Sequence, residues 1–186
     1  AVWHRGAVDA DGKTGDGAGI HVEIPKDFFI EKIEVTGHDY DNSEICVGMI
    51  FLPRNDYSAQ ESCKTIVESE LTKNNFSIYG WRQVPVNPKI LGEKAFQTMP
   101  EIIQVLFKSN DRSLIDKNLE RKIYETRKII ENQAFELSLN NFYICSISSK
   151  SIIYKGLYLA EAISDFYLDL KDKRFISRYA IFHQRF

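Results

Sequence analysis

From Ile45 to Leu52 the chain reads ICVGMIFL, a near-continuous apolar run of strand length that stops at Pro53. Such a run, without the alternation of a half-buried strand, is what a strand covered on both faces looks like. It demands a layered core, and the composition supplies one: 44% of the 186 residues are hydrophobic and 12% aromatic, well above what disordered chains carry. The length corresponds to one domain or a large piece of one. With no repeat, low-complexity tract or composition break, residues 1–186 read as part of a single domain.

Other elements follow from local pattern. Ala18–Pro25 alternates apolar and polar residues as a half-buried strand does, and a short helix is expected over Asp27–Ile33. Ala59, Cys63, Ile66, Val67 and Leu71 recur at helical spacing, which predicts an amphipathic helix over Ser58–Lys73 with Ser58 near its cap. Phe76–Tyr79, Trp81–Pro85 and Glu101–Phe107 read as strands. Ile115, Leu119, Ile123, Ile130 and Ala134 mark a longer helix, capped by Asp111 or Ser113, whose charges form a solvated face. Phe142–Ser149 and Ile152–Leu157 are expected to form a β-hairpin, followed by a short helix near Leu159–Phe166 and a last strand from about Arg178 to Phe186.

The net charge of −2 and a pI near 6.1 give no electrostatic drive toward nucleic acid or an anionic membrane, so neither is expected as a partner. No stretch suits a bilayer crossing. Three widely spaced cysteines, Cys46, Cys63 and Cys145, make no disulfide framework and no CxxC pair, which fits a reducing, cytoplasmic setting. Each sits on a predicted apolar face or strand and reads as a small core hydrophobe. His4, His21, His38 and His183 lack companions at metal-ligand spacing, so no metal site is expected.

Five of the ten glycines lie before Ile20, at Gly6, Gly12, Gly15, Gly17 and Gly19, where the backbone must turn tightly or approach something closely. Ala7–Thr14 fits a loose phosphate-loop pattern, but Gly15, Gly17 and Gly19 would spoil the helix that must follow, and Asp9 and Asp11 would repel phosphate. A calcium loop fails as well, because Ala7 and Ala18 stand where the first and last ligands belong. Arg5 and Arg185, set among small or apolar residues, each need a carboxylate or carbonyl partner. A bound carboxylate held by the guanidinium fork meets that need, and so does an internal ion pair.

Taken in order and spacing, His4-Arg5-Gly6-Ala7, the run Ala10–Gly19, Trp81–Pro85, Phe142–Ser146, Tyr154-Lys155-Gly156 and His183–Phe186 resemble the N-terminal glutaminase domain of glutamate synthase large subunits, a class II glutamine amidotransferase. The resemblance covers essentially the whole chain, and the Ala10–Gly19 wording is its most specific part. It implies an α+β, N-terminal-nucleophile hydrolase-like αββα sandwich of two antiparallel sheets between helix layers, incomplete at both ends. It implies a parent protein that hydrolyses L-glutamine to glutamate and ammonia and passes the ammonia to synthase domains making glutamate from 2-oxoglutarate. FMN and an iron–sulfur cluster would serve that synthesis on other parts of the parent, with none on this stretch, and an electron-donor subunit would complete the assembly. Residue by residue, Arg185 matches the arginine that grips the α-carboxylate of glutamine. His4 and Arg5 match a segment supporting the nucleophile, and Gly15 and Gly17 fall in the turn bordering the site. The family's nucleophile is an N-terminal Cys using its own α-amine as base. Ala1 stands first here, so the chain is expected to be inactive by itself and to self-associate through uncovered sheet edges. A non-catalytic amidotransferase-like scaffold and a different class II amidotransferase are the alternative readings.

Overall fold

The computed structural model of the chain describes residues 8–185. Its strands are β1 (Ala18–Glu23), β2 (Cys46–Leu52), β3 (Phe76–Gln83), β4 (Glu101–Ser109), β5 (Tyr143–Ser148), β6 (Ser151–Gly156) and β7 (Ala180–Gln184). Its helices are α1 (Lys26–Val35), α2 (Tyr57–Lys73), α3 (Glu93–Thr98), α4 (Asp116–Glu136) and the single turn α5 (Ile163–Phe166). The strands form two antiparallel sheets, a four-stranded one in the order β3-β4-β2-β5 and a three-stranded one in the order β6-β1-β7. Among the described residues every strand pairing is antiparallel, which is not the parallel, nucleotide-binding type of architecture.

The apolar run of β2 sits in the interior of the larger sheet and is buried on both faces, as its composition requires. Cys46, Ile50 and Leu52 face one core with Val105 and Phe107 of β4, covered by Cys63, Val67 and Leu71 of α2 and by Leu119, Ile123 and Ile130 of α4. Val47 and Met49 face a second core, shared with Ala18 and Val22 of β1, Phe28, Phe29 and Ile33 of α1, and Ile152 and Tyr154 of β6. The sequence of layers is therefore helices, four-stranded sheet, three-stranded sheet. Aromatic rings fill the second core edge to face: Tyr154 lies 4.9 Å from Tyr167 and Phe28 lies 5.2 Å from Phe175, centroid to centroid, the geometry favoured by the ring quadrupoles.

Several local expectations are corrected. The stretch from Phe142 to Leu157 is not a hairpin, because β5 pairs with β2 and β6 pairs with β1, in different sheets. The reason is polar. Ser148 Oγ accepts from the amides of Lys150 and Ser151 at 2.9 and 3.2 Å, while Glu120 of α4 accepts from Ser148 Oγ, Ser149 N and Ser149 Oγ at 2.7–2.9 Å. These bonds satisfy the corner's donors without a strand ladder. Across the gap, Ser146 Oγ accepts from the Ile153 amide (3.1 Å) and Cys145 Sγ lies 3.5 Å from the Ile153 carbonyl, so side chains of β5 cap the free edge of β6. The face of α4 is accordingly not wholly solvated: besides Glu120, Arg127 donates to the Ile144 carbonyl at 2.8 Å.

The helix starts also shift. Asp56, not Ser58, caps α2 by accepting from the Ala59 amide at 2.9 Å. Neither Asp111 nor Ser113 caps α4, since Asp111 is spent on the turn before it, accepting from Ser113 N and Ser113 Oγ. Phe76–Gln83 is one strand, with a bulge between Ile78 and Gly80 where two segments were expected. Leu159–Phe166 resolves into a 3-10 turn at Ala160–Ala162 and α5. The short helix α3, which the sequence reading did not anticipate, lies in the connection from β3 to β4.

Candidate functional site

The site to be tested is the end of the three-stranded sheet where the glycine run meets Arg185. β1 is the middle strand, so its entry, Gly15–Gly19, lies between the ends of β6 and β7. Gly17 has φ of +134°, in the region that favours glycine. Its carbonyl accepts from the backbone amide of Arg185 at 2.8 Å, placing the two predicted site residues side by side. Gly15 lies flush on the Tyr158 carbonyl, which a Cβ at that position would meet at 2.8 Å.

Ahead of this entry, residues 8–15 form a closed loop. Val8 bridges Gly15, and the Asp9 amide donates to the Thr14 carbonyl at 2.8 Å. Asp11 is its anchor: Oδ1 accepts from the amides of Lys13 (2.9 Å) and Thr14 (2.7 Å), and Oδ2 from the Thr14 hydroxyl at 2.5 Å. The Thr14 hydroxyl above all, with those two amides, holds the Asp11 carboxyl down at about 2. Neither metal nor phosphate is needed to explain the acidic residues of this loop, since Asp9 in turn pairs with Lys94 of α3 at 3.0 Å.

Arg185 is exposed, and among the described residues no carboxylate lies within ion-pair distance of it. The internal ion pair left open by the sequence is therefore not formed with any described side chain. His4 and Arg5 lie outside the described residues. Two open grooves, of about 410 and 480 Å³, lie elsewhere, one lined by Lys32, His38, Tyr79 and Arg82, the other by Arg54, Val86, Met99 and Glu101. Neither includes Arg185 or the glycine run; Arg185 is an exposed planar cation at a strand end, a group suited to a small carboxylate.

The cysteines offer no nucleophile. All three are buried, and burial pushes the thiols of Cys63 and Cys145 up to about 11 and that of Cys46 above its ordinary value, the reverse of what a reactive thiolate needs. Among the described residues no three His, Cys, Asp or Glu side chains are grouped as a metal site, and no helix is long and apolar enough to cross a membrane.

One feature escaped the sequence reading. Between the sheets, Arg82 of β3 makes a two-pronged contact with Asp169, 2.8 Å on each prong, and donates to Gln104 Oε1 at 2.7 Å. Tyr154 OH adds a bond to Asp169 at 3.2 Å. Nothing local marks this pair, because its partners are far apart in sequence. The nearest signal was Arg82 itself, a charge amid Trp81 and Val84.

Comparison with known proteins agrees with this architecture. The family model for glutamine amidotransferases class-II matches residues 1–186. The chain is 52% identical over 186 residues to the glutamate synthase [NADPH] large chain of Azospirillum brasilense, covering all of this chain and 12% of that protein. It is 41% identical over 185 residues to ferredoxin-dependent glutamate synthase 1, chloroplastic/mitochondrial, of Arabidopsis thaliana, and 37% identical over 185 residues to the chloroplastic ferredoxin-dependent glutamate synthase of Spinacia oleracea. Each of these covers 98% of this chain and 11% of the relative, so the chain spans about an eighth or less of the proteins it matches. The chain belongs to the class II glutamine amidotransferases.

Proposed function

We propose that this chain is the carboxylate-binding part of the glutaminase domain of a glutamate synthase large chain, acting in a reducing, cytoplasmic setting. The observation that carries the reading is Arg185, exposed at the end of β7 and tied by its own amide to Gly17 at the mouth of the glycine run. A guanidinium there grips the α-carboxylate of L-glutamine through two parallel N–H···O bonds. That grip fixes the substrate's position and directs its side-chain amide toward a nucleophile. Attack of a thiolate on the amide carbon expels ammonia, and water then cleaves the thioester to release glutamate. With every described thiol buried and protonated, the nucleophile belongs outside the described residues, and this stretch alone binds without hydrolysing. His4 and Arg5 are assigned to its support.

The synthase half of such a parent would draw on FMN and an iron–sulfur cluster. The residues described here do not fit the cluster: it needs several thiolates converging on one site, and Cys46, Cys63 and Cys145 are buried core residues on three different elements. No step is assigned to either group on this chain. An electron-donor subunit and the synthase domains are the partners this reading requires, and the exposed edge of β7 is where the isolated chain self-associates.

The test is steady-state glutaminase kinetics of the full-length protein carrying this chain. Arg185→Ala is expected to raise KM for glutamine by about a hundredfold, the loss of a charge-assisted fork, and Arg185→Lys to restore little, because an ammonium lacks the fork. An unchanged KM in Arg185→Ala would remove the assignment.

A further inference from the structure

The geometry points to Asp11 as a positioning residue for glutamine binding, acting through a lock formed with Thr14 and Gly92 that fixes the entry to β1. The inference rests on the glutamine-binding reading of Arg185 and deepens it.

The lock has two sides. On the loop, three donors converge on the Asp11 carboxylate, the Lys13 and Thr14 amides and the Thr14 hydroxyl, and Thr14 is buried although the loop around it is exposed. On the other side stands Gly92, the residue that opens α3. A Cβ at Gly92 would overlap both Asp11 Oδ2 and Thr14 Oγ1, so only a glycine admits the pair. Lys94, two residues on, adds its ion pair to Asp9. The loop is thus seated on α3 through Gly92 and Lys94, while Gly15 rests on the Tyr158 carbonyl.

Thr14 is three residues from Gly17, whose carbonyl holds the Arg185 amide. A shift of the loop therefore moves the acceptor that sets the backbone of Arg185, and with it the direction of the guanidinium. Asp11 touches no substrate in this scheme. Its effect appears in how well the carboxylate of glutamine is met, because a binding group misplaced by about 1 Å loses much of its contribution.

The experiment compares variants in the full-length protein. Asp11→Ala removes both carboxylate oxygens, so the Lys13 and Thr14 amides and the Thr14 hydroxyl lose their common acceptor. Gly92→Ala leaves Asp11 chemically intact and pushes its carboxylate away. Each is expected to raise KM for glutamine about tenfold with kcat changed by less than about threefold. The two lesions act on one lock, so in an Asp11→Ala background Gly92→Ala should add little: the Thr14 hydroxyl, released from Asp11, turns aside. Thr14→Ser should retain near-normal KM and Thr14→Val should not, which keeps the question answerable if a Gly92 variant fails to fold. Unchanged KM in both single variants, or equal loss of kcat and KM together with a lowered melting temperature, or additive effects in the double variant, would overturn the inference. If Arg185→Ala also leaves KM unchanged, the glutamine reading has failed; if Arg185→Ala raises KM and the Asp11 and Gly92 variants do not, only the lock has.

Discussion

In the four-stranded sheet, Val47 and Ile50 of β2 and Val105 and Phe107 of β4 are completely buried, whereas in the three-stranded sheet Ile181 and Phe182 of β7 are 62% and 64% exposed. Successive residues of a strand point to opposite faces, so β7 is uncovered on both sides. The larger sheet gains its stability from apolar burial on both faces; in the smaller one β1 and β6 pack into the second core, while β7 is held by its pairing to β1 and by polar ties. Arg185 and the glycine run, the proposed binding elements, belong to the smaller, less buried sheet, and binding elements tend to come from the less stable parts of a fold.

The contrast is open to direct attack. Phe107→Ala removes a fully buried ring that meets Phe76 edge to face at 5.3 Å and is expected to cost about 3–5 kcal/mol. Phe182→Ala should stay within about 0.5 kcal/mol. Both are read from chemical denaturation midpoints, and similar losses at the two sites would show that β7 is covered in solution.

The same chemistry placed in the two settings sharpens the point. Arg82 and Asp169, with side chains 13% and 3% exposed, form their fork between the sheets. Arg178 and Glu23 form another across the end of the three-stranded sheet, with Arg178 86% exposed. Arg82→Ala leaves Asp169 as an unpaired buried charge and is expected to cost about 3–5 kcal/mol. Arg178→Ala leaves Glu23 to water and should cost no more than about 1 kcal/mol. Replacing Arg82 and Asp169 together by Met and Leu should recover most of the loss, since a buried pair costs most when only half of it is removed. Amide exchange gives a third measure: β2 and β4 should exchange only on global unfolding, and β7 earlier, by local opening.

The difference between the sheets also decides what could be read from the sequence. Ile45–Leu52 and Glu101–Phe107 announce themselves because strands buried on both faces must be apolar throughout, and α2 and α4 because their buried faces recur at helical spacing. The partner choice of β5 and β6 was not legible, because it depends on Glu120 reaching the Ser148-Ser149 corner from a helix earlier in the chain. Arg82 and Asp169 were hidden for the same reason: long-range polar pairs leave no periodicity. The helix α3 is too short to show one either. At the candidate site, the stretches Gly15–Gly19 and His183–Arg185, far apart in sequence, are brought together where the Gly17 carbonyl meets the Arg185 amide. Asp11 entered the sequence argument as a charge that would repel phosphate and as part of the Ala10–Gly19 run, although its engagement by Thr14, three residues on, is an ordinary local side-chain motif.

The smallest effect lies at the entry to β1, where the comparison can be pressed without disturbing either core. Asp11 ionises at about 2 in the folded chain, against an ordinary value of 3.8. A carboxyl whose folded value is depressed contributes stability that is fully present above its unfolded value and disappears as pH falls through the folded one. The loop should therefore be intact above pH about 5 and released between about 4 and 2, while the apolar contacts of β2 and β4 have no titrating group to lose. Carboxyl NMR should find Asp11 near 2, and Thr14→Val, which deletes the hydroxyl donor but not the two backbone donors, should move it part of the way back toward 3.8. Because the carboxylate is exposed, water screens the interaction and the melting temperature should barely change. An Asp11 that titrates at its ordinary value with Thr14 intact would mean that the loop is not closed in solution. The entry to β1 would then be as loosely held as the outer edge of β7.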